Sequence, residues 1–195
     1  MGKIFCLMGK SSSGKDSIYR ELFQASKEKL ERIVPYTTRP IREGECEGKE
    51  YHFVGEDKVS SLEQEGKIIE LRAYNTVHGI WKYFTVDDGQ IDLESNNYLM
   101  VGVLQTYLNI REYFGDDKVV PIYIEVEDGE RLARALGRER LEPKPRYAEM
   151  CRRFLADSED FSEERLEAAG ITKRFENRQL VTTISEIVDY IEKMV

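Results

Sequence analysis

Short apolar runs alternate along this chain with stretches of helical spacing, and that rhythm predicts most of its elements. Residues 3–8 are a brief apolar run closed at once by Gly9, the pattern of a strand covered on both faces. From Lys15 a helical period begins, with Ile18, Leu22, Phe23 and Leu30 near one face. Ile33 and Val34 predict a second strand, stopped by Pro35. Residues 50–54 and 67–74 read as strands on either side of a short helix over 57–64, and the aromatic-rich stretch 79–85 reads as another. Residues 98–103 and 119–124 have the pattern of buried strands, each followed by helical spacing. Near the C terminus Ile184, Ile187, Val188 and Ile191 form an apolar helix face, and Thr183 with Glu186 has capping-box spacing.

Strand and helix alternate at both ends of the chain, which predicts an α/β architecture with a parallel sheet flanked by helices. The strand-rich middle breaks the rhythm. It divides the chain into a core of residues 1–35 and 94–195 and an inserted lobe of residues 36–93.

Composition narrows the function classes. The 195 residues are 41% hydrophobic and 34% charged, which suits a globular chain with a proper core. No apolar run approaches the length of a membrane span, and the first residues lack a signal-peptide cleavage pattern. Met1-Gly2 resembles a myristoylation start, but Cys6 stands where that motif needs Ser or Thr. Cys6, Cys46 and Cys151 are odd in number and widely spaced, which argues against disulfides or a zinc site and for a cytoplasmic protein. A net charge of −8 disfavours nucleic acid as a partner while leaving room for a small phosphorylated ligand.

The candidate chemistry starts where the first strand ends. Gly9 and Gly14 bracket four residues, and Lys15 follows. This is the spacing of a phosphate-cradling loop, in which glycines let backbone N–H groups approach phosphate oxygens at the positive end of a helix. Gly9, Ser11, Ser12, Ser13, Gly14, Lys15, Asp16 and Ser17 are therefore the candidate nucleotide-phosphate residues. Asp16 occupies the position after the lysine, where a magnesium-binding Ser or Thr is usual. It reads either as a hard oxygen ligand for Mg2+ or as a first-turn acid complementing the helix dipole. Farther on, Arg39 and Arg42 lie three apart in a loop with Tyr51 after them. They are either solvated surface charges or a forked clamp for a second phosphate.

The loop together with TTRPIREGECEGKEYHF, Thr37 to Phe53, resembles the guanylate kinase family, whose members carry T-T-R-x-x-R-x-G-E-x-x-G-x-x-Y-x-F. The resemblance implies a P-loop NTPase core with a parallel sheet, a strand-rich monophosphate-binding lobe and a helical lid over about 134–153. It implies ATP and Mg2+ as cofactors, and GMP or dGMP as the phosphoryl acceptor. On that pattern Arg39, Arg42, Tyr51, Glu70, Tyr83 and Thr85 bind the acceptor, with Glu70 facing guanine N1 and N2. Tyr83 reads equally as a packed strand aromatic. Lys15, Arg42, Arg134, Arg138 and Arg153 would act on the transferring group, and Asn177 would edge the donor adenine.

Two positions depart from the pattern. Pro35 stands where the family has a serine contacting guanine O6, and Gly102 where it has an aspartate near the acceptor and metal. Asp16 is the residue that could supply the missing carboxylate. The departures leave open the same fold acting on another nucleoside monophosphate or a phosphosugar. A noncatalytic module that binds a phosphorylated partner is the remaining reading. Small-molecule nucleotides are the expected partners, with no nucleic acid or membrane, and the protein is expected to be a monomer or homodimer.

Overall fold

The computed structural model describes residues 1–26, 29–76 and 79–195. Its first strand, β1 (Ile4–Gly9), is buried at every position. Alternate residues point to opposite faces, so Ile4, Cys6 and Met8 enter one apolar cluster and Phe5 and Leu7 another. A strand buried on both faces needs helices above and below it. On one side lie α1 (Lys15–Ala25) and α7 (Leu180–Met194), which bring Ile18, Leu22, Ile187 and Ile191 to the second cluster. On the other lie α3 (Leu104–Phe114) and α6 (Glu163–Ala168), which supply Leu104, Tyr107, Ile110 and Leu166.

The sheet between these helices has the order β2 (Leu30–Arg32), β7 (Asn97–Val101), β1, β8 (Val119–Glu125), β9 (Arg174–Glu176), and every pairing is parallel. Two further helices, α4 (Asp128–Glu139) and α5 (Tyr147–Asp160), follow β8. Glu127 caps α4, its carboxylate accepting hydrogen bonds from the Gly129 and Glu130 amides at 2.9 Å each. Among the described residues no helix is long and apolar enough to cross a membrane.

A second sheet comes from the middle of the chain, in the order β4 (His52–Phe53), β3 (Tyr36–Thr37), β6 (Gly79–Val86), β5 (Ile68–Thr76). β5 and β6 are antiparallel, as are β3 and β6, whereas β3 and β4 are parallel. Its own apolar cluster joins Phe84 and Val86 to Val59 and Leu62 of α2 (Glu56–Gln64).

Several expected boundaries move. The second strand is Leu30–Arg32 rather than Ile33–Val34, because the Val34 amide leaves the ladder for the Gln90 side chain at 2.8 Å. Leu30 consequently belongs to that strand and not to α1, which stops at Ala25. The strand expected over 50–54 shrinks to His52–Phe53. The capping box at Thr183 is a correction. α7 starts at Leu180, so Thr183 lies inside its first turn, and its hydroxyl donates to the Gln179 carbonyl, with the Glu176 carbonyl also at 3.1 Å. A side-chain hydroxyl bonded backward in this way cannot cap the amides ahead of it.

Candidate active site

The loop between β1 and α1 sits at the carboxyl edge of the parallel sheet, the edge where open α/β sheets hold ligands. Its glycines are required by the geometry. Gly14 has φ 86°, and a Cβ there would meet Asn177 Nδ2 at 2.5 Å. At Gly9 a Cβ would lie 2.8 Å from both the Ile124 carbonyl oxygen and Ser13 Oγ. Ser12 is the one non-glycine with positive φ among the described residues, at 64°. Ser13 is fully buried, and its hydroxyl has no partner. An unpaired buried hydroxyl is costly, and here it belongs to a loop shaped to bind something.

The arginines of α4 and α5 converge on this loop. Arg138 donates to Ser12 Oγ and Arg153 to Ser11 Oγ, both at 3.1 Å. Arg134 turns elsewhere, donating to the Asn177 carbonyl at 3.2 Å and to Glu130 at 2.9 Å. Asn177 is buried, and its side-chain amide donates to the Ser13 carbonyl at 2.8 Å. Arg134 and Asn177 border a cavity of about 300 Å3, together with Val126, Glu127 and Arg178.

Two neighbours of the loop were absent from the sequence reading. Arg131 is 1% exposed. It donates to Asp128 from Nε at 3.0 Å and from a terminal nitrogen at 2.7 Å, and to the Ser11 carbonyl at 3.1 Å. Its guanidinium lies over the Phe154 ring, 4.5 Å from the centroid. Asp157 accepts the Ser11 amide at 2.8 Å. The signal for Arg131 lies in the sequence: it stands three residues after Asp128 and seven before Arg138, on a shared helix face.

Lys15 and Asp16 open α1. Their charged atoms are 4.0 Å apart, with the lysine side chain 20% exposed and the aspartate 84%. Among the described residues no cluster of three or more His, Cys, Asp or Glu could hold a metal ion alone. The oxygens of Asp16 and Ser17 nonetheless suit a Mg2+ that takes most of its ligands from phosphates and water.

The second sheet presents the other half of the expected site. Arg39 is 4% exposed, and both terminal nitrogens are on Glu45, at 2.7 and 2.5 Å. That bond holds Glu45 below the usual carboxylate range. Tyr51 packs 4.9 Å under the Arg39 guanidinium and edge-on to Tyr83, with ring centroids 5.6 Å apart. Burial pushes the Tyr51 hydroxyl pKa up. Arg42 is exposed, and its amide donates to Glu45 at 2.8 Å. Glu70 is buried and accepts from Thr85 Oγ1 at 3.0 Å and from Arg72 Nε at 2.9 Å. The structure thus places Glu70, Tyr83 and Thr85 on one sheet, with Arg39 just after β3 and Tyr51 just before β4.

Gly102 follows β7 against the main sheet. A Cβ there would press on Thr106 at 3.0 Å and Cys6 Sγ at 3.3 Å. Close packing therefore occupies the place where an acid was looked for. Burial pushes the Cys6 thiol up to about 12, Glu70 adding to the shift and Arg72 opposing it. A thiol so shifted is a packing group, not a nucleophile.

Residues 1–83 match the family model for guanylate kinase. Curated guanylate kinases are similar over parts of the chain. That of Wolinella succinogenes is 33% identical over 114 residues, covering 58% of this chain and 51% of its own. That of Mycoplasma mobile is 42% identical over 82 residues, covering 42% and 41%. That of Anaplasma phagocytophilum is 29% identical over 140 residues, covering 70% and 63%. The chain therefore spans between about two fifths and two thirds of these relatives' lengths. A crystal structure of guanylate kinase from Anaplasma phagocytophilum superposes with a TM-score of 0.66 at 22% identity, covering 98% of this chain and 85% of that one. That likeness establishes the fold. In the spacing of its glycine loop, in its fold and over part of its sequence, this chain is similar to guanylate kinases.

Proposed function

We propose that this protein transfers the terminal phosphoryl group of ATP to a nucleoside monophosphate, with GMP or dGMP as the favoured acceptor. The observation that carries the reading is the meeting of Arg138 and Arg153 with the Ser12 and Ser11 hydroxyls of the glycine-bracketed loop. Two cations on separate helices converge where the phosphate loop would hold donor phosphates, which is what stabilising a transferring phosphoryl group requires.

In this reading Lys15 and the loop amides hold the donor phosphates, and Asn177 and Arg134 border the donor base. Arg39, Arg42 and Tyr51 receive the acceptor phosphate. Glu45 now saturates the Arg39 fork, keeping it oriented until a dianion takes its place. Glu70 and Thr85 face the acceptor base. Asp16 and Ser17 would hold Mg2+ with the phosphates, and the ion would neutralise charge on the donor oxygens. The protein's part is alignment and charge stabilisation, since phosphoryl transfer asks little covalent chemistry of it. Residues 36–93 act as the acceptor lobe and about 134–153 as the lid, on a core of 1–35 and 94–195. The three free cysteines support a cytoplasmic setting.

The test is ADP release from Mg-ATP against GMP, dGMP, AMP, CMP, UMP and a phosphosugar, with Arg138→Ala alongside. Turnover is expected with GMP and dGMP. Arg138→Ala should lower it by roughly 10³ or more at unchanged melting temperature. Turnover with no acceptor would overturn the kinase reading, and turnover without guanine preference would overturn the acceptor.

A further inference from the structure

One member of a buried ion pair on the second sheet, Arg72, has no part in the scheme above. Glu70, Arg72 and Tyr74 alternate along β5 and so share a face, and across from the first two on β6 stand Thr85 and Tyr83. The Glu70 side chain is wholly buried, while that of Arg72 keeps 19% exposure. Arg72 reaches the carboxylate twice, from Nε at 2.9 Å and from a terminal nitrogen at 3.3 Å. It also borders a cavity of about 530 Å3 together with Tyr74, Val103, Leu104 and Gln105. A guanidinium has five N–H donors, so two bonds to Glu70 leave it donors to spare.

The Thr85 hydroxyl has one hydrogen, and Glu70 receives it at 3.0 Å. A ligand edge beside Glu70 that carries an acceptor can find its hydrogen bond at Arg72, whose guanidinium already stands against that carboxylate. On this basis we propose that Arg72 is a specificity-determining residue of the acceptor site. With Glu70 it forms an acceptor-beside-donor edge that matches a 2-amino-6-oxopurine. Glu70 accepts from the ring N–H and the 2-amino group, and Arg72 donates to the 6-oxo oxygen. Adenine presents the opposite order, an amino group toward Arg72 and a bare ring nitrogen toward Glu70. The inference rests on the reading of this face as the acceptor site.

The experiment compares the whole protein with Arg72→Ala and Arg72→Gln, using GMP and 6-thio-GMP as paired probes. Sulfur is a poor acceptor, whereas the ring N–H and the 2-amino group are unchanged. Affinity is measured by calorimetry without ATP, and kcat/KM by ADP release. The wild-type protein should prefer GMP by about tenfold or more. Arg72→Ala should remove that preference by weakening GMP about ten- to a hundredfold and leaving 6-thio-GMP nearly unchanged. Arg72→Gln, which keeps a neutral donor, should restore part of the ratio. If the wild type favours GMP and Arg72→Ala keeps the same ratio, the role of Arg72 is refuted while the kinase stands. If GMP binds with the expected ratio but no phosphate moves, the inference stands and the kinase reading falls. If neither probe binds, both fall.

Discussion

The fork of Arg39 on Glu45 fixes one arginine in a nearly sealed position, and its consequence can be followed with pH. The bond to Arg39 is the main cause that lowers the Glu45 pKa from its ordinary value of 4.5. A carboxylate whose pKa is lower folded than unfolded stabilises the fold above the unfolded value. That stabilisation is lost as pH falls through the folded one. Wild type should therefore melt above Glu45→Gln at pH 6, and the gap should close as pH drops below about 4.5. Differential scanning calorimetry from pH 6 to 3 checks this, and a gap that stays constant would show that the ion pair contributes nothing. Asp128, also held low, is common to both proteins and cancels in the comparison.

At the scale of elements, α4 and α5 grip the phosphate loop by its backbone as well as by its hydroxyls. Arg131 takes the Ser11 carbonyl and Asp157 the Ser11 amide, while the two side chains stand 3.8 Å apart. The peptide at the tip of the loop is thus bracketed by two helices. Replacing Arg131 with leucine keeps the volume but removes the charge between Asp128 and Asp157. Because Asp128 is 50% exposed, the cost should be that of a charge-assisted hydrogen bond, about 1.5–3 kcal/mol. Urea unfolding and the KM for ATP should both shift, and an unshifted KM would mean that Arg131 merely fills space. Much of this region is legible in the sequence, since strand, glycine loop, lysine and helix follow one another without interruption. What hides is partnership. Arg138 and Arg153 can be picked out as basic lid residues. That Arg131 is the buried one, and that Arg134 serves Asn177 instead of the loop, depends on which face of α4 meets α5 and the loop. Glu45 is visible only as one acid among several until the chain turns back on Arg39. The Thr183 capping spacing misleads for a similar reason: α7 begins three residues earlier, where Asn177 and Gln179 dictate the path.

The whole molecule has two sheets with separate apolar cores, and the separation predicts unequal stability. The clusters on either side of β1 draw on strands and helices from both ends of the chain. The third, Val59, Leu62, Phe84 and Val86, is small and belongs to the second sheet and α2. Among the described residues the two are tied by α3 packing on β5, by Ile69 on the first cluster, by Val34 with Gln90, and by the Tyr113 hydroxyl on Asp87 at 2.9 Å. A unit with a small core opens at lower free energy than the rest. Removing Phe84, which is fully buried, should cost about 3–5 kcal/mol, and that cost should fall on the second sheet first. In hydrogen exchange, Phe84→Ala should speed the amides of Tyr36, Leu71 and Tyr83 by at least a hundredfold. Those of Phe5, Leu7 and Ile122 should keep their wild-type rates. If both sets accelerate together, the two cores unfold as one cooperative unit, and movement of the acceptor sheet relative to the phosphate loop cannot come from local opening. If only the first set accelerates, the sheet carrying Arg39, Glu70 and Arg72 moves as a unit hinged on a rigid loop. On the proposed function, two anions could then be brought together with water excluded before phosphoryl transfer.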